Sequence, residues 1–216
     1  MPAHESIQKL LDLQNAYSGV YRAIITSERL RHAGPDIESI DLKEERLREP
    51  LLEHVGHLPV IASFLHPHIE RSKEVDLGRA LAMLSIHDIG ETVVGDVMAY
   101  HKSDSDTEKE NKIVAGLLPD SLLDLFREYE ARETQDAKFA KAVDAMAPFL
   151  HEINSSKLTQ ARFKAYGFGS KDIEAKKRDL FQWDLVLKEM FDEFLAAFKA
   201  IEAGQPSGFK GSMDIS

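Results

Sequence analysis

Apolar residues recur at three- and four-residue spacing along most of the chain, and this periodicity constrains the fold more than any other feature. The predicted helices cover residues 7–25, 50–64, 75–86, 110–117, 121–131, 134–153 and 171–201. Thr134 is expected to cap one of these helices, and Pro59 is expected to introduce a kink or an early turn in another. Because no stretch longer than a few residues alternates between polar and apolar side chains, the sequence predicts an all-α fold.

The length and composition are those of one globular domain. The chain has 216 residues, of which 43% are hydrophobic and 30% charged, and it is long enough to bury a full core. We expect a single domain over residues 1–203. A flexible tail is expected over residues 204–216, which are rich in Gly, Pro and Ser.

Charge and residue usage narrow the class of partner. The net charge is −10, from 27 basic and 37 acidic residues, which argues against nucleic acid polymers and anionic membrane surfaces as partners. The chain has no cysteine, so any metal ion must be held by histidine and carboxylate side chains. No apolar run is long enough to span a membrane, and the N-terminus does not resemble a signal peptide. We therefore expect a cytoplasmic protein.

A His-Asp doublet indicates a metal site. His87 and Asp88 supply one nitrogen and one oxygen ligand, a pair that suits a divalent cation of borderline hardness. His54 lies on an upstream predicted helix, three residues before His57, which we expect to be a hydrogen-bonding neighbour and not a ligand. Asp144 interrupts the apolar face of a downstream helix, where a carboxylate is costly unless it is paired. A metal ion would be such a partner.

The order of these motifs resembles that of the HD-domain metal-dependent phosphohydrolases. The similarity is greatest to the branch that contains bacterial 5'-deoxynucleotidases and their eukaryotic HD-domain relatives. It rests on Glu-Pro-Leu-Leu-Glu-His at 49–54, on His87-Asp88 followed by Glu91 and Gly95-Asp96, and on Ala-Lys-Phe-Ala-Lys-Ala-Val-Asp at 137–144 after Leu118-Pro119. The resemblance spans about residues 46–150.

This resemblance implies an HD-domain helical bundle with one divalent cation in its core, held by His54, His87, Asp88 and Asp144. The sequence does not distinguish Mn, Co, Mg, Zn, Fe and Ni at such a site. The catalytic carboxylates of the family correspond to Glu91 and Asp96. We expect Asp96 to protonate the leaving oxygen and Glu91 to orient Asp96 or the attacking water.

The resemblance also implies the substrate class. In that branch it is a nucleoside 5'-monophosphate, typically a deoxynucleotide, so the expected activity is that of a 5'-nucleotidase. An arginine on the preceding helix would bind the phosphate, and Arg31 and Arg29 are the candidates.

Two other classes of function stay open at this point. The first is another HD hydrolase: a deoxynucleoside triphosphohydrolase, a phosphodiesterase or an alarmone hydrolase. A single metal ion is favoured over two, because His101 is the one histidine between Asp88 and Asp144. The second is a catalytically silent HD domain that binds nucleotides. The aromatic stripe of the C-terminal helix is expected to be core or a homodimer face, and the lysine-rich run at 176–178 a solvated helix face.

Overall fold

A computed structural model describes residues 3–25, 47–95 and 112–209. Its helices are α1 (Ala3–Ser18), α2 (Leu51–Leu65), α3 (Leu77–Ile86), α4 (Glu91–Val94), α5 (Asp120–Ala131), α6 (Gln135–Asn154), α7 (Ser156–Tyr166), α8 (Ser170–Lys177) and α9 (Leu185–Glu202). Residues 112–117 are also helical, and short 3-10 turns lie at His66–His68, Ser72–Glu74 and Arg178–Leu180. Strand β1 (Tyr21–Ile25) pairs with β2 (Arg48–Pro50). The prediction of an all-α fold is confirmed, apart from this strand pair.

Helix α6 runs through the middle of the bundle and packs against α2, α3, α5, α7 and α9. Its buried face is rich in alanine, which lets the neighbouring helices approach closely, and near its C-terminal end it carries the large ring of Phe149. Four aromatic rings surround Phe149, with their centroids 5.3 to 6.2 Å from the centroid of its ring. They belong to Phe181, Phe191, Phe194 and Phe198. The predicted aromatic stripe is therefore part of the core.

Local signals fix where the helices of the core begin. Thr134 caps α6 as predicted, because its hydroxyl accepts a backbone N–H of the first turn at 3.2 Å. Asp76 caps α3 in the same way, at 3.1 Å. Helix α2 continues through Pro59 to its end at Leu65, so this proline does not terminate it.

A strand replaces the last five residues of the first predicted helix. Helix α1 ends at Ser18, immediately before Gly19, and Tyr21–Ile25 is extended. This strand runs antiparallel to β2, with Tyr21 opposite Pro50. Aromatic and β-branched residues favour such an extended backbone. Alternation could not predict the pair, because β2 has only three residues.

The long helix predicted at 171–201 is divided in two. Helix α9 begins after Asp184, whose carboxylate accepts the N–H groups of Val186 and Leu187 at 3.0 and 3.2 Å. Asp184 has an extended backbone, with φ −135° and ψ 135°, so the preceding helix cannot continue through it. The apolar pattern crosses this break without interruption, because both halves pack on the same core.

Two further segments differ from the sequence-based prediction. Periodicity does not predict α7, because its buried face includes the polar residues Thr159 and Arg162. The first part of the predicted tail is also anchored and not frayed. The hydroxyl of Ser207 donates to a carbonyl in the last turn of α6 at 3.0 Å, and its N–H donates to Ser156 Oγ at 3.0 Å. Residues 210–216 lie outside the described part of the chain.

Candidate metal centre

Three core helices bring together four side chains with metal-binding chemistry. His54 projects from α2, His87 and Asp88 lie at the C-terminal end of α3, and Asp144 lies near the middle of α6. One possible ligand atom from each residue lies within 4.8 Å of those from the other three. Both histidines are buried. The four residues that the sequence predicts as ligands are thus assembled at one point of the bundle.

The polar atoms of this cluster fit a cation. His87 Nε2 lies 3.0 Å from Asp88 Oδ2, and His54 Nε2 lies 3.3 Å from Asp144 Oδ1. In spite of these distances, both Nε2 atoms and Asp88 Oδ2 are buried without a hydrogen bond of suitable geometry to the described residues. Buried polar atoms are seldom left in that state. Two imidazole nitrogens and two carboxylate oxygens are a donor set that suits a divalent cation.

The charges of the cluster also favour a positive charge inside it. Burial lowers the pKa of His87, but Asp88 and Asp144 outweigh burial and raise this pKa to about 10. Burial raises the pKa of each aspartate, yet the neighbouring His87 holds both values below their usual range. Burial and the charge of Arg22 lower the pKa of His54, so its imidazole stays neutral and its Nε2 can act as a ligand.

Two of the ligands are held from behind by hydrogen bonds. His87 Nδ1 donates to the carbonyl oxygen of Leu84 at 2.9 Å, which leaves Nε2 directed at the carboxylates. Tyr129 of α5 donates its hydroxyl to Asp144 Oδ2 at 2.9 Å. Burial, together with the charge of Asp144, raises the pKa of this hydroxyl well above its usual value, so it remains a donor. Such outer contacts fix the orientation of metal ligands.

The strand pair carries two charged residues to the cluster. Glu49 of β2 is buried, and its Oε2 lies 3.6 Å from His54 Nδ1 and 3.7 Å from Arg22 Nη1. Its Oε1 accepts a hydrogen bond from His151 Nε2 at 3.3 Å. Burial opposes ionisation of Glu49, but these partners hold its pKa below the usual value. His57 lies on this side of the cluster, with its ring centroid 6.0 Å from that of His151, and is not among the four clustered ligands.

Arg22 of β1 places a cation beside the metal ligands. Burial lowers the pKa of Arg22, but the charges of nearby carboxylates outweigh burial and raise this pKa. These carboxylates belong to Asp88, Glu91, Asp144 and Glu49. Its Nε and Nη1 are buried without a hydrogen-bond partner among the described residues. A guanidinium with free donors next to a cation site is well suited to bind a phosphate.

One predicted catalytic residue lies within the described chain. Glu91 begins α4, is 6% exposed, and interacts electrostatically with Arg22. Gly95 ends α4 with φ 77°, a left-handed conformation that favours glycine and accounts for its place in the motif. The other predicted residues lie outside the described part of the chain: Asp96, Arg31, Arg29 and His101.

The lysine-rich run at 176–178 is not a uniformly solvated face. Lys177 is half-buried and interacts electrostatically with Asp144, Lys141 and Arg22. Burial lowers its pKa to about 8, and the charge of Asp144 offsets this only in part. The prediction of a solvated face is therefore wrong for Lys177, which adds a cation on the α6 side of the cluster.

Sequence reasoning does not assign Arg22, Glu49 or Tyr129 to the site. Arg22 falls in a stretch predicted as helix, so its position opposite β2 cannot be inferred. Glu49 does carry a signal, because it is part of the motif that ends at His54. Tyr129 lies 15 positions before Asp144 and reaches it only because α5 and α6 pack together.

The fold and the site together place this chain in a class of α-helical proteins that can bind a cation with two histidines and two aspartates in the core of the bundle. Residues 39–180, more than half of the chain, match the HD domain family. The chain therefore belongs to the HD domain family.

Individual proteins are similar to this chain in sequence or in fold. The 5'-deoxynucleotidase HDDC2 of Xenopus laevis is 28% identical over 120 residues, and the match covers 51% of this chain and 57% of that protein. The crystal structure of a predicted metal-dependent phosphohydrolase from Magnetospirillum magnetotacticum MS-1 has a TM-score of 0.70 at 23% identity, covering 93% of this chain and 96% of the other. The PH0347 protein of Pyrococcus horikoshii OT3 has a TM-score of 0.55 at 21% identity, covering 91% and 99%. The two structures share the fold of this chain.

Proposed function

We propose that this protein is a metal-dependent phosphomonoester hydrolase that converts nucleoside 5'-monophosphates, typically deoxynucleotides, into nucleoside and phosphate. The observation that carries the proposal is the position of Arg22 beside the cluster of His54, His87, Asp88 and Asp144. In this proposal a site for one divalent cation lies beside a site for an anion, and a phosphate group can bind to both at once.

A divalent cation in this cluster would polarise a phosphoryl oxygen and lower the pKa of water. Arg22 would donate to the phosphate oxygens and offset their charge. Water attacks phosphorus in line with the sugar 5'-oxygen, and the bond between phosphorus and this oxygen breaks with its electron pair on oxygen. We assign to Asp96 the proton that this oxygen takes up, which a proton given up by the attacking water replaces, and to Glu91 the orientation of Asp96 or of the water.

Two observations support a monophosphate as substrate. The matched region of the Xenopus laevis protein belongs to a 5'-deoxynucleotidase. Of the cations that act on the cluster in the described part of the chain, Lys141 is paired with Glu130, whereas Arg22 and Lys177 suit a dianion better than a triphosphate, which would require more basic groups.

Phosphate release from a panel of 5'-nucleotides with Mn²⁺, Co²⁺ or Mg²⁺ tests the proposal. We expect release of phosphate from monophosphates and its loss in Asp144→Asn, because one ligand is removed. Asp124→Asn is the matched control, since Asp124 is an exposed carboxylate that pairs with Arg127 away from the cluster. Release of pyrophosphate or triphosphate would favour another HD hydrolase. No release from any nucleotide would favour a silent binding module.

The role of Arg22 is tested separately. Arg22→Met should raise KM for the nucleotide far more than it changes kcat, because the lost contact is to the phosphate in both ground and transition states. Arg127→Met, which removes an exposed arginine on α5, should leave both constants unchanged. Parallel Arg31→Met and Arg29→Met variants decide whether another arginine shares the role. An unchanged KM in Arg22→Met would overturn this assignment.

The proposal also covers the location of the protein, its partners and its oligomeric state. None of the described helices is long and apolar enough to cross a membrane. We propose a cytoplasmic enzyme with a small-molecule nucleotide as partner and without binding to nucleic acid polymers. A homodimer stays a prediction, which light scattering of the purified protein would test.

A further inference from the structure

Glu49 is a buried charge that the proposed reaction does not use. It lies in β2 and is 2% exposed. A buried carboxylate is costly unless other charges or hydrogen bonds balance it. Three groups from separate elements lie around it: Arg22 of β1, His54 of α2 and His151 of α6.

The contact with His54 concerns the nitrogen that faces away from the cluster. His54 Nε2 lies 3.3 Å from Asp144 Oδ1, whereas its Nδ1 lies 3.6 Å from Glu49 Oε2. A histidine that binds a metal through one nitrogen generally presents the other N–H to a carboxylate or a carbonyl, which fixes its tautomer and ring orientation. His87 has the carbonyl of Leu84 in that position. For His54 the group in that position is Glu49, whose Oε2 lies at an ion-pair distance from Nδ1 and slightly beyond hydrogen-bonding distance.

The same carboxylate oxygen also faces Arg22. Glu49 Oε2 is 3.7 Å from Arg22 Nη1, so one oxygen is shared between the metal ligand and the proposed phosphate-binding residue. The hydrogen bond from His151 to Oε1, at 3.3 Å, holds the other half of the carboxylate against α6. Glu49 therefore cannot rotate toward one partner without leaving another.

We propose that Glu49 is a positioning residue whose single carboxylate orients His54 toward the metal ion and Arg22 toward the phosphate. It touches neither substrate nor metal. The half that concerns Arg22 rests on the proposed function, whereas the half that concerns His54 rests on the metal site alone.

The proposed role of Glu49 toward His54 is tested by measuring metal affinity, which requires no substrate. Mn²⁺ binding to wild type, Glu49→Gln and Glu49→Ala is measured from the paramagnetic resonance signal of free Mn²⁺. We expect the affinity to fall by about 10- to 100-fold in the alanine variant, the range found for partners behind metal ligands. Glutamine keeps an oxygen that can accept from Nδ1–H, so its loss should be smaller. If the alanine variant does not fold, the isosteric glutamine variant decides.

Glu152→Gln is the matched control. Glu152 is also a buried glutamate, and it pairs with Arg162 and accepts from Thr159 Oγ1 on the far part of α6. Its replacement should lower the melting temperature but leave the Mn²⁺ affinity within twofold of wild type. A general loss of packing would therefore not be mistaken for a lost orientation of His54.

Steady-state kinetics with deoxyadenosine 5'-monophosphate at saturating Mn²⁺ test the half that concerns Arg22. Glu49→Gln should raise KM severalfold in the wild-type background and change it little in Arg22→Met, because the shared partner is already gone. Its effect on Mn²⁺ affinity should persist in that background, since it acts through His54.

The outcomes separate this inference from the proposed function. Wild-type protein that binds Mn²⁺ and releases phosphate, with both Glu49 variants unchanged in affinity and KM, would overturn the inference alone. Wild-type protein that binds none of Mn²⁺, Co²⁺ and Mg²⁺ would overturn both. Mn²⁺ affinity that depends on Glu49 in a protein that hydrolyses no nucleotide would sustain the role toward His54 and overturn the role toward the phosphate.

Discussion

A divalent cation should stabilise this fold measurably, and by a predictable amount. The four clustered side chains come from α2, α3 and α6, so an unfolded chain does not hold them together. A cation that binds only the folded state adds a stabilisation of RT ln(1 + [M]/Kd), about 2.7 kcal/mol at a free concentration 100 times Kd. In a domain of this size 1 kcal/mol shifts Tm by roughly 2–4 °C. We therefore expect Tm to rise by roughly 5–11 °C.

Thermal melting followed by circular dichroism measures this rise, first in EDTA and then over a series of free Mn²⁺ concentrations. Above Kd, each tenfold increase in Mn²⁺ adds about 1.4 kcal/mol and so roughly 3–6 °C. Asp144→Asn should remove most of this dependence, because a neutral amide is a poorer ligand than a carboxylate. Asp124→Asn, at an exposed position on α5, should retain it.

Two results would refute the reasoning. A Tm that stays constant over three decades of Mn²⁺, and likewise of Co²⁺ and Mg²⁺, would mean that the cluster does not bind a divalent cation. An undiminished rise in Asp144→Asn would mean that the cation binds elsewhere. A constant Tm with Mn²⁺ would require repetition with Co²⁺ and Mg²⁺, since the donor set suits several divalent ions.

Three further predictions concern single side chains. Tyr129→Phe removes the hydroxyl that donates to Asp144 and should lower the free energy of unfolding by about 1.5–3 kcal/mol in urea titrations; an unchanged value would contradict the hydrogen bond. Arg162→Met takes the ion-pair partner from buried Glu152 and should cost about 3–5 kcal/mol in the same assay, most of which Arg162→Met/Glu152→Leu should restore. Because burial lowers the pKa of Lys177 to about 8, its reductively methylated signal should titrate near pH 8 in nuclear magnetic resonance spectra, and titration near 10.5 would contradict its burial. Between these pH values the unfolded chain holds this proton and the folded chain does not, so the contribution of Lys177 to stability should rise with pH.

The helices and the clustered ligands could be predicted because their signals are local. Apolar spacing of three and four residues defines the faces of α2, α3 and α6, and a charged residue on such a face stands out. Asp144 is recognisable in this way, since it interrupts an apolar stripe of α6. The adjacency of His87 and Asp88 places both at one helix end, whatever the rest of the chain does.

The residues around the four ligands could not be predicted, because they lie in segments that are far from the ligands in the sequence. Arg22 is separated from Asp88 by most of the first half of the chain, and only the pairing of β1 with β2 brings it to the cluster. Lys177 is a second example. Its position in a run of charged residues predicts that it is exposed to solvent, but the turn after α8 packs against α6 and brings Lys177 toward that helix. The predicted extent of the last helix is wrong for a related reason. Asp184 caps α9 and so divides the predicted helix, although the apolar pattern continues across it.

The strand pair, the main exception to the helical pattern, sets the distance between the proposed phosphate-binding residue and the metal ligands. Strand β2 leads directly into α2, so Glu49 precedes His54 by little more than one helical turn, and the N–H of Leu51 donates to the carbonyl of Val20 at 2.9 Å. A register slip of one residue would turn the side chain of Arg22 to the opposite face of the pair and move it by about 3.3 Å along the strand. Arg22 would then lose the shared Glu49 oxygen. The pairing register of two short strands is therefore a condition for placing cation and phosphate side by side.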